Sequence, residues 1–212
     1  MNGRTIKAWN PTSPFSLRRF DLALQLVSGF HHHQARKGGT IPYIAHLMNV
    51  CALVLEADGD EDQAIAALLH DAMEDAGGLA TLDTIRRLFG DRVAIAVESC
   101  SDSTTTDPNE KPPWRGRKEK YLEHLLHASQ DALLVSAADK LHNARSILAD
   151  YRKWREDLWP RFNAPKKDQL WFYGAMVTTL RQTSAPKALV DELETVVNEL
   201  NREVEERKLV AK

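Results

Sequence analysis

The stretch AALLHDAMEDAGG, residues 66–78, opens as a buried helix and closes on four ionisable side chains, His70, Asp71, Glu74 and Asp75. At about 100° per residue, a helix continued through it places His70, Glu74, Asp71 and Asp75 at roughly 0°, 40°, 100° and 140°. Ala64 and Ala67 share that sector, while Ile65, Leu68, Leu69, Ala72 and Met73 cover the opposite arc. The reading is an amphipathic helix whose polar face is built of potential ligands. Three carboxylates near a helix C-terminus oppose the macrodipole, at about 0.3–1 kcal/mol each. A bound cation offsets that cost and their mutual repulsion. A solvated helix end with surface acids is the alternative.

Outward from this stretch, helical periodicity and capping signals recur and strand alternation is hard to find. Ser13-Pro14 opens a first helix through FSLRRFDLALQLVSGF, Gly38-Gly39 breaks the chain, and Pro42 starts YIAHLMNVCALVLEA. Asp60 with Gln63 forms a capping box ahead of AIAALLHDAMED. Thr81 opens TLDTIRRLF, Gly90 ends it, and RVAIAVESC follows. Residues 101–117, with Pro108, Pro112 and Pro113, read as a loop. Helices resume in KEKYLEHLLHA and DALLVSAADKLHNARSILADYRKW, then over about 166–182 and about 186–208. The expected fold is all-α, a compact globular helical bundle. One domain over 1–212 is expected, with its core at about 14–183.

Composition limits the function classes. The chain has 212 residues, 43% hydrophobic and 27% charged, as in a globular protein with a sizeable core. A formal charge of −2 gives no footprint for nucleic acid. The N-terminus lacks an apolar signal-peptide core, and no apolar run approaches the ~20 residues of a membrane span. The expected compartment is the cytoplasm. Two cysteines, Cys51 and Cys100, are too few for a disulfide framework, and Cys51 reads as a core residue. Trp154, Trp159 and Trp171 serve either the core or the interface of a homo-oligomer.

Two further residues extend the potential ligand set. His46 lies among Ile44, Leu47 and Val50, and Asp139 lies in the apolar run LLVSAADKL. Singly, His46 reads as a satisfied core histidine and Asp139 as a structural acid paired with Lys or Arg. With His70 and Asp71 they offer two nitrogens and two oxygens from three helices. That set suits Mn, Fe, Zn or Mg, and the two histidines lean away from Mg.

The pattern His46, His70-Asp71, Asp139 resembles the H…HD…D ligands of the HD phosphohydrolase superfamily. Three longer segments resemble its alarmone hydrolases, the hydrolase half of RelA/SpoT enzymes and the standalone forms related to metazoan SpoT homologues. They are HHHQARKGGTIPYIAH (31–46), HDAMED (70–75) and ADKLHNAR (138–145), and the likeness covers roughly residues 20–180. About seventy residues after Asp139 leave no room for a synthetase domain, so a small standalone hydrolase is expected. The resemblance implies Mn²⁺ held by His46, His70, Asp71 and Asp139, and removal of 3′-pyrophosphate from a nucleotide such as (p)ppGpp or (p)ppApp. It also implies that Glu74 and Asp75 manage the attacking water, that Arg36 and Lys37 reach the base and phosphates, and that Asn143 contacts ribose or phosphate. His31 matches a family histidine, and His32 and His33 receive no role. Tyr43 is assigned to the core in preference to the nucleotide.

Three features depart from the family pattern: Leu47 in place of a common His-Pro, the ending Ala76-Gly77-Gly78, and the length of the 101–117 loop; the last two border the substrate. That loop, with Lys118 after it, carries Lys111, Trp114, Arg115 and Arg117, and reads as either a lid over polyphosphate or a plain connection. Alternative functions are another HD enzyme (a 5′-nucleotidase, dNTP hydrolase or phosphodiesterase) and a catalytically silent nucleotide sensor.

Overall fold

Apolar side chains spaced three and four apart become buried helical stripes throughout the chain. The computed structural model describes residues 17–37, 39–103, 107 and 111–210, with side chains through 206. The elements are α1 (Leu17–Phe30), α2 (Ile44–Glu56), α3 (Glu61–Leu69), α4 (Ala72–Asp75), α5 (Leu79–Phe89), α6 (Asp91–Cys100), α7 (Trp114–Leu125) and α8 (Gln130–Trp154). A 3-10 turn (Arg155–Arg161), α9 (Lys166–Leu180) and α10 (Lys187–Val210) complete them. The fold is all-α. Among the described residues, the one β-type contact is an isolated bridge between Ala35 and Pro42. No helix there is long and apolar enough to cross a membrane.

One hydrophobic cluster runs from Ala23 of α1 to Val204 of α10. At its centre, Ala64–Leu69 of α3 are all buried, and α3 packs against α1, α2, α6 and α8. The Asp60 capping box is present in full: Asp60 Oδ1 accepts from Gln63 N at 3.0 Å, and Gln63 Oε1 accepts from Asp60 N at 2.9 Å. Helix α8 spans 25 residues and packs against α2, α3, α6, α9 and α10. Val190, Leu193, Val197, Leu200 and Val204 form the seam that α10 buries. Arg152 bonds to Glu199 and Glu203 beside that seam.

Several boundaries differ from the sequence reading. The helix expected through residues 64–75 stops at Leu69 and restarts at Ala72. His70 turns its Nδ1 onto the carbonyl of Ala67 (2.8 Å), and Asp71 takes φ −94°, ψ −5°, a bridge conformation of turns and active sites. Ala64 and Ala67 are wholly buried, so α3 is a core helix without the expected polar face. Helix α5 starts at Leu79, ahead of Thr81, whose hydroxyl instead donates to Ala76 O at 2.8 Å. The 101–117 loop ends at Pro113, because Trp114, Arg115 and Arg117 already belong to α7. The 3-10 turn had no counterpart in the reading. Ser13-Pro14, Gly38 and Pro108 lie outside the described residues. Of the three tryptophans, Trp159 is core, Trp171 half-buried and Trp154 exposed, while Cys51 is buried as expected.

Candidate metal centre and its surroundings

The packing of α2, α3 and α8 brings together residues 93 positions apart, from His46 to Asp139. His46 lies in the first turn of α2, His70 and Asp71 form the α3–α4 joint, and Asp139 lies inside α8. His46 and His70 are 1% exposed and Asp139 5%. One ligand atom from each lies within 4.8 Å of the other two. His46 Nε2 stands 3.2 Å from Asp139 Oδ1 and 3.5 Å from Asp71 Oδ2. His70 Nε2 stands 3.1 Å from Asp71 Oδ2 and 3.6 Å from Asp139 Oδ1.

These contacts are close without being hydrogen bonds. Both Nε2 atoms are shut off from solvent and lack a partner of acceptable geometry. A buried polar atom left unmatched costs about 1–3 kcal/mol, so the close group of His46, His70 and Asp139, with Asp71 Oδ2 beside both histidines, fits a cation among them. The tautomers agree. A carbonyl only accepts, so His70 holds a proton on Nδ1 against Ala67 O, and the neutral form of the ring presents Nε2 as a ligand atom. His46 Nδ1 lies 2.8 Å from His142 Nδ1. Burial, helped by His46 and Arg36, lowers the His142 pKa to about 4, so this ring is neutral at pH 7. With His142 accepting, His46 keeps its proton on Nδ1, and its neutral form likewise offers Nε2 as a ligand atom. Two imidazole nitrogens and two carboxylates suit a divalent transition ion.

Electrostatics inside the cluster run against burial. Burial disfavours charge on His70, yet Asp71 and Asp139 outweigh it and raise its pKa well above the ordinary value. Burial would raise Asp71, but His70 and His46 hold it well below the usual carboxylate range. Asp139 is likewise held low, by Lys140 first and then by the two histidines. Lys140 pairs with Asp139 Oδ2, and Asn143 Nδ2 donates to Asp139 Oδ1 at 2.5 Å. The pairing with Lys expected for a structural acid is therefore present beside the metal-ligand geometry.

Around this centre the structure places the remaining candidates unevenly. Glu74 Oε1 accepts from Asp102 N at 2.7 Å, and Lys111 Nζ is 3.7 Å from its other oxygen. Burial and the Asp102 charge push Glu74 upward in pKa. Asp75 lies at the exposed edge of α4, raised by partial desolvation and by Asp71. Arg36 Nη2 donates to Asn143 Oδ1 at 2.9 Å, joining the loop after α1 to α8. Lys37 is exposed on that loop, and His32 and His33 are exposed against each other. Tyr43 does more than fill the core: its hydroxyl donates to Asp71 Oδ2 at 2.5 Å, while its ring packs on the hydrophobic cluster.

Sequence reasoning missed Gln34, Asp102, Lys140 and His142 as neighbours of the site. Gln34 and His142 fall within the family-like segments 31–46 and 138–145, but nothing in their spacing shows which partner each meets. Asp102 is nearly buried and held by Arg117 and by Lys118 Nζ at 2.7 Å. These two basic residues therefore spend charge on the protein itself. Arg115 likewise stacks on Trp171 and bonds to Glu119 and Asp168. Trp114 packs edge-on against Phe172 with ring centres 5.8 Å apart.

Comparison with known proteins narrows what such a centre serves. Residues 23–161 match the family model of the HD domain. The chain is 38% identical over 120 residues to the guanosine-3′,5′-bis(diphosphate) 3′-pyrophosphohydrolase of Xenopus tropicalis, covering 55% of this chain and 63% of that one. The enzyme of the same name from Drosophila melanogaster is 32% identical over 133 residues, 61% of this chain and 69% of the relative. The chain thus spans about 63% of the length of its vertebrate relatives. A solved metazoan ortholog of SpoT, described as hydrolysing ppGpp, superposes with a TM-score of 0.71 at 26% identity, over 93% of this chain and 99% of the other.

Proposed function

Because this chain belongs to the HD-domain family, we propose that it is a metal-dependent 3′-pyrophosphohydrolase of nucleotide alarmones. The substrate is (p)ppGpp or (p)ppApp, with the guanosine form first because the relatives are named for it. The carrying observation is the approach of two buried, unpartnered Nε2 atoms to Asp71 and Asp139, with Glu74 and Asp75 one turn further on.

In this reading His46, His70, Asp71 and Asp139 hold Mn²⁺. When bound, the ion supplies positive charge that polarises the 3′-phosphoryl group and acidifies water. Glu74 and Asp75 orient the attacking water and accept its proton, a task suited to carboxyls lifted above their ordinary range. The water oxygen bonds to the phosphorus next to O3′, the P–O3′ bond breaks, O3′ gains a proton, and pyrophosphate leaves intact. Arg36 and Lys37 meet the base and phosphates, and Asn143 meets ribose or phosphate while steadying Arg36.

The test is an assay of metal-stripped protein with ppGpp and ppApp, Mn²⁺ added back, and products separated by ion exchange. Intact pyrophosphate that appears only with Mn²⁺ and is lost in Asp71→Ala supports the proposal, and the better substrate names the base. No pyrophosphate from either nucleotide with Mn²⁺ present overturns it.

A further inference from the structure

The loop between α1 and α2 reaches Asp75 through two side chains. His31 is 3% exposed, and its Nδ1 lies 2.6 Å from Gln34 Oε1. Gln34 Nε2 in turn donates to Asp75 Oδ2 at 2.8 Å. One assignment satisfies both contacts. An ionised carboxylate only accepts, so Gln34 must present its NH₂ to Asp75 and its oxygen to His31. His31 must then carry its proton on Nδ1. The main chain holds the same residue: Tyr43 N donates to Gln34 O at 2.9 Å, and the His31 ring stacks on Tyr43 with centres 5.2 Å apart.

We propose that Gln34 is a positioning residue for Asp75, and that the buried His31 locks the Gln34 amide in its donating orientation. Asp75 is exposed, so a carboxylate without this tether turns freely toward solvent. The tether fixes which oxygen faces Gln34 and leaves Oδ1 for the reacting water. The proposal rests on the reading of Asp75 as a water-handling acid.

The test compares kcat and KM for ppGpp with Mn²⁺ in Gln34→Leu, His31→Leu, His31→Asn, Asp75→Asn and the Gln34→Leu/Asp75→Asn double variant. Gln34→Leu and His31→Leu should each lower kcat roughly tenfold or more with little change in KM, the mark of a misplaced group. His31→Asn, whose amide N–H stands near the lost Nδ1–H, should recover most of the kcat lost in His31→Leu. In the Asp75→Asn background, Gln34→Leu should lower kcat no further. An undiminished effect of Gln34→Leu in that background overturns the proposal, as does a rise in KM with kcat intact. Full activity of Asp75→Asn removes its premise and overturns it too. If the wild type releases no pyrophosphate, the substrate reading fails by itself. Histidine ring-nitrogen NMR then decides the pairing: His31 protonated on Nδ1, with that preference lost in Gln34→Leu, supports it, and an Nε2-protonated His31 in the wild type overturns it.

Discussion

A histidine that binds a cation needs its far nitrogen occupied, and the two imidazoles of this centre solve that differently. His70 uses a main-chain carbonyl three residues back, which no substitution of a neighbouring side chain removes. His46 uses another imidazole, which accepts only while neutral, and burial keeps His142 neutral by lowering its pKa to about 4. His142→Leu deletes the acceptor and lets the His46 ring rotate. Mn²⁺ affinity should fall by about 10–100-fold, read by calorimetry on metal-stripped protein, while the helical circular dichroism stays unchanged. Unchanged affinity would show that packing alone orients His46.

At the scale of elements, the decisive feature is a break. Helix α3 ends at Leu69, two residues turn, α4 lasts one turn, and Gly77 and Gly78 then reverse the chain with φ of 132° and 63°. A Cβ on Gly77 would also meet Thr81 Oγ1 at 2.8 Å, and that hydroxyl is already bonded to Ala76 O. Gly77→Ala should therefore destabilise the protein by about 1–3 kcal/mol in urea unfolding. A change under about 0.5 kcal/mol would mean that the turn relaxes at little cost. The clustering of His46, His70, Asp71 and Asp139 was legible in the sequence, because all four are ionisable side chains set in or beside apolar runs, which burial brings together. The break was not, since a 100° periodicity carries on through two residues whose dihedrals drift only modestly from helical. The early start of α7 was hidden for another reason. Pro112-Pro113-Trp114 reads as loop, yet Pro113 precedes the first helical residue, with its φ of −50° already near the helical value. Gln34 and His142 needed tertiary contacts, across 41 and 96 positions respectively, before a partner could be named.

Across the whole molecule, the helices that carry the centre are clamped far from it. Arg92 of α6 bonds to Asp60 at the start of α3 (2.7 Å) and twice to Asp131 of α8 (2.7 and 2.8 Å), and Gln63 Nε2 also reaches Asp131 at 2.7 Å. Hydrogen bonding from Arg92 lowers the Asp131 pKa below its ordinary value. A carboxylate depressed on folding stabilises fully above its unfolded pKa of about 3.9 and loses that contribution as pH falls through its folded pKa. Asp131→Asn should therefore cost about 1 kcal/mol or less at pH 7, since Arg92 is almost half exposed. The gap from wild type should narrow below about pH 4 in parallel urea melts. A gap that persists at low pH would assign the effect to packing. The candidate ligands His46 and Asp139 are rooted in α2 and α8, whereas Gln34, Arg36, Lys37, Asp102 and Lys111 arrive on the segments between helices. Substitution in those segments can thus change the surroundings of the centre one contact at a time, while His46 and Asp139 keep their places on the packed helices.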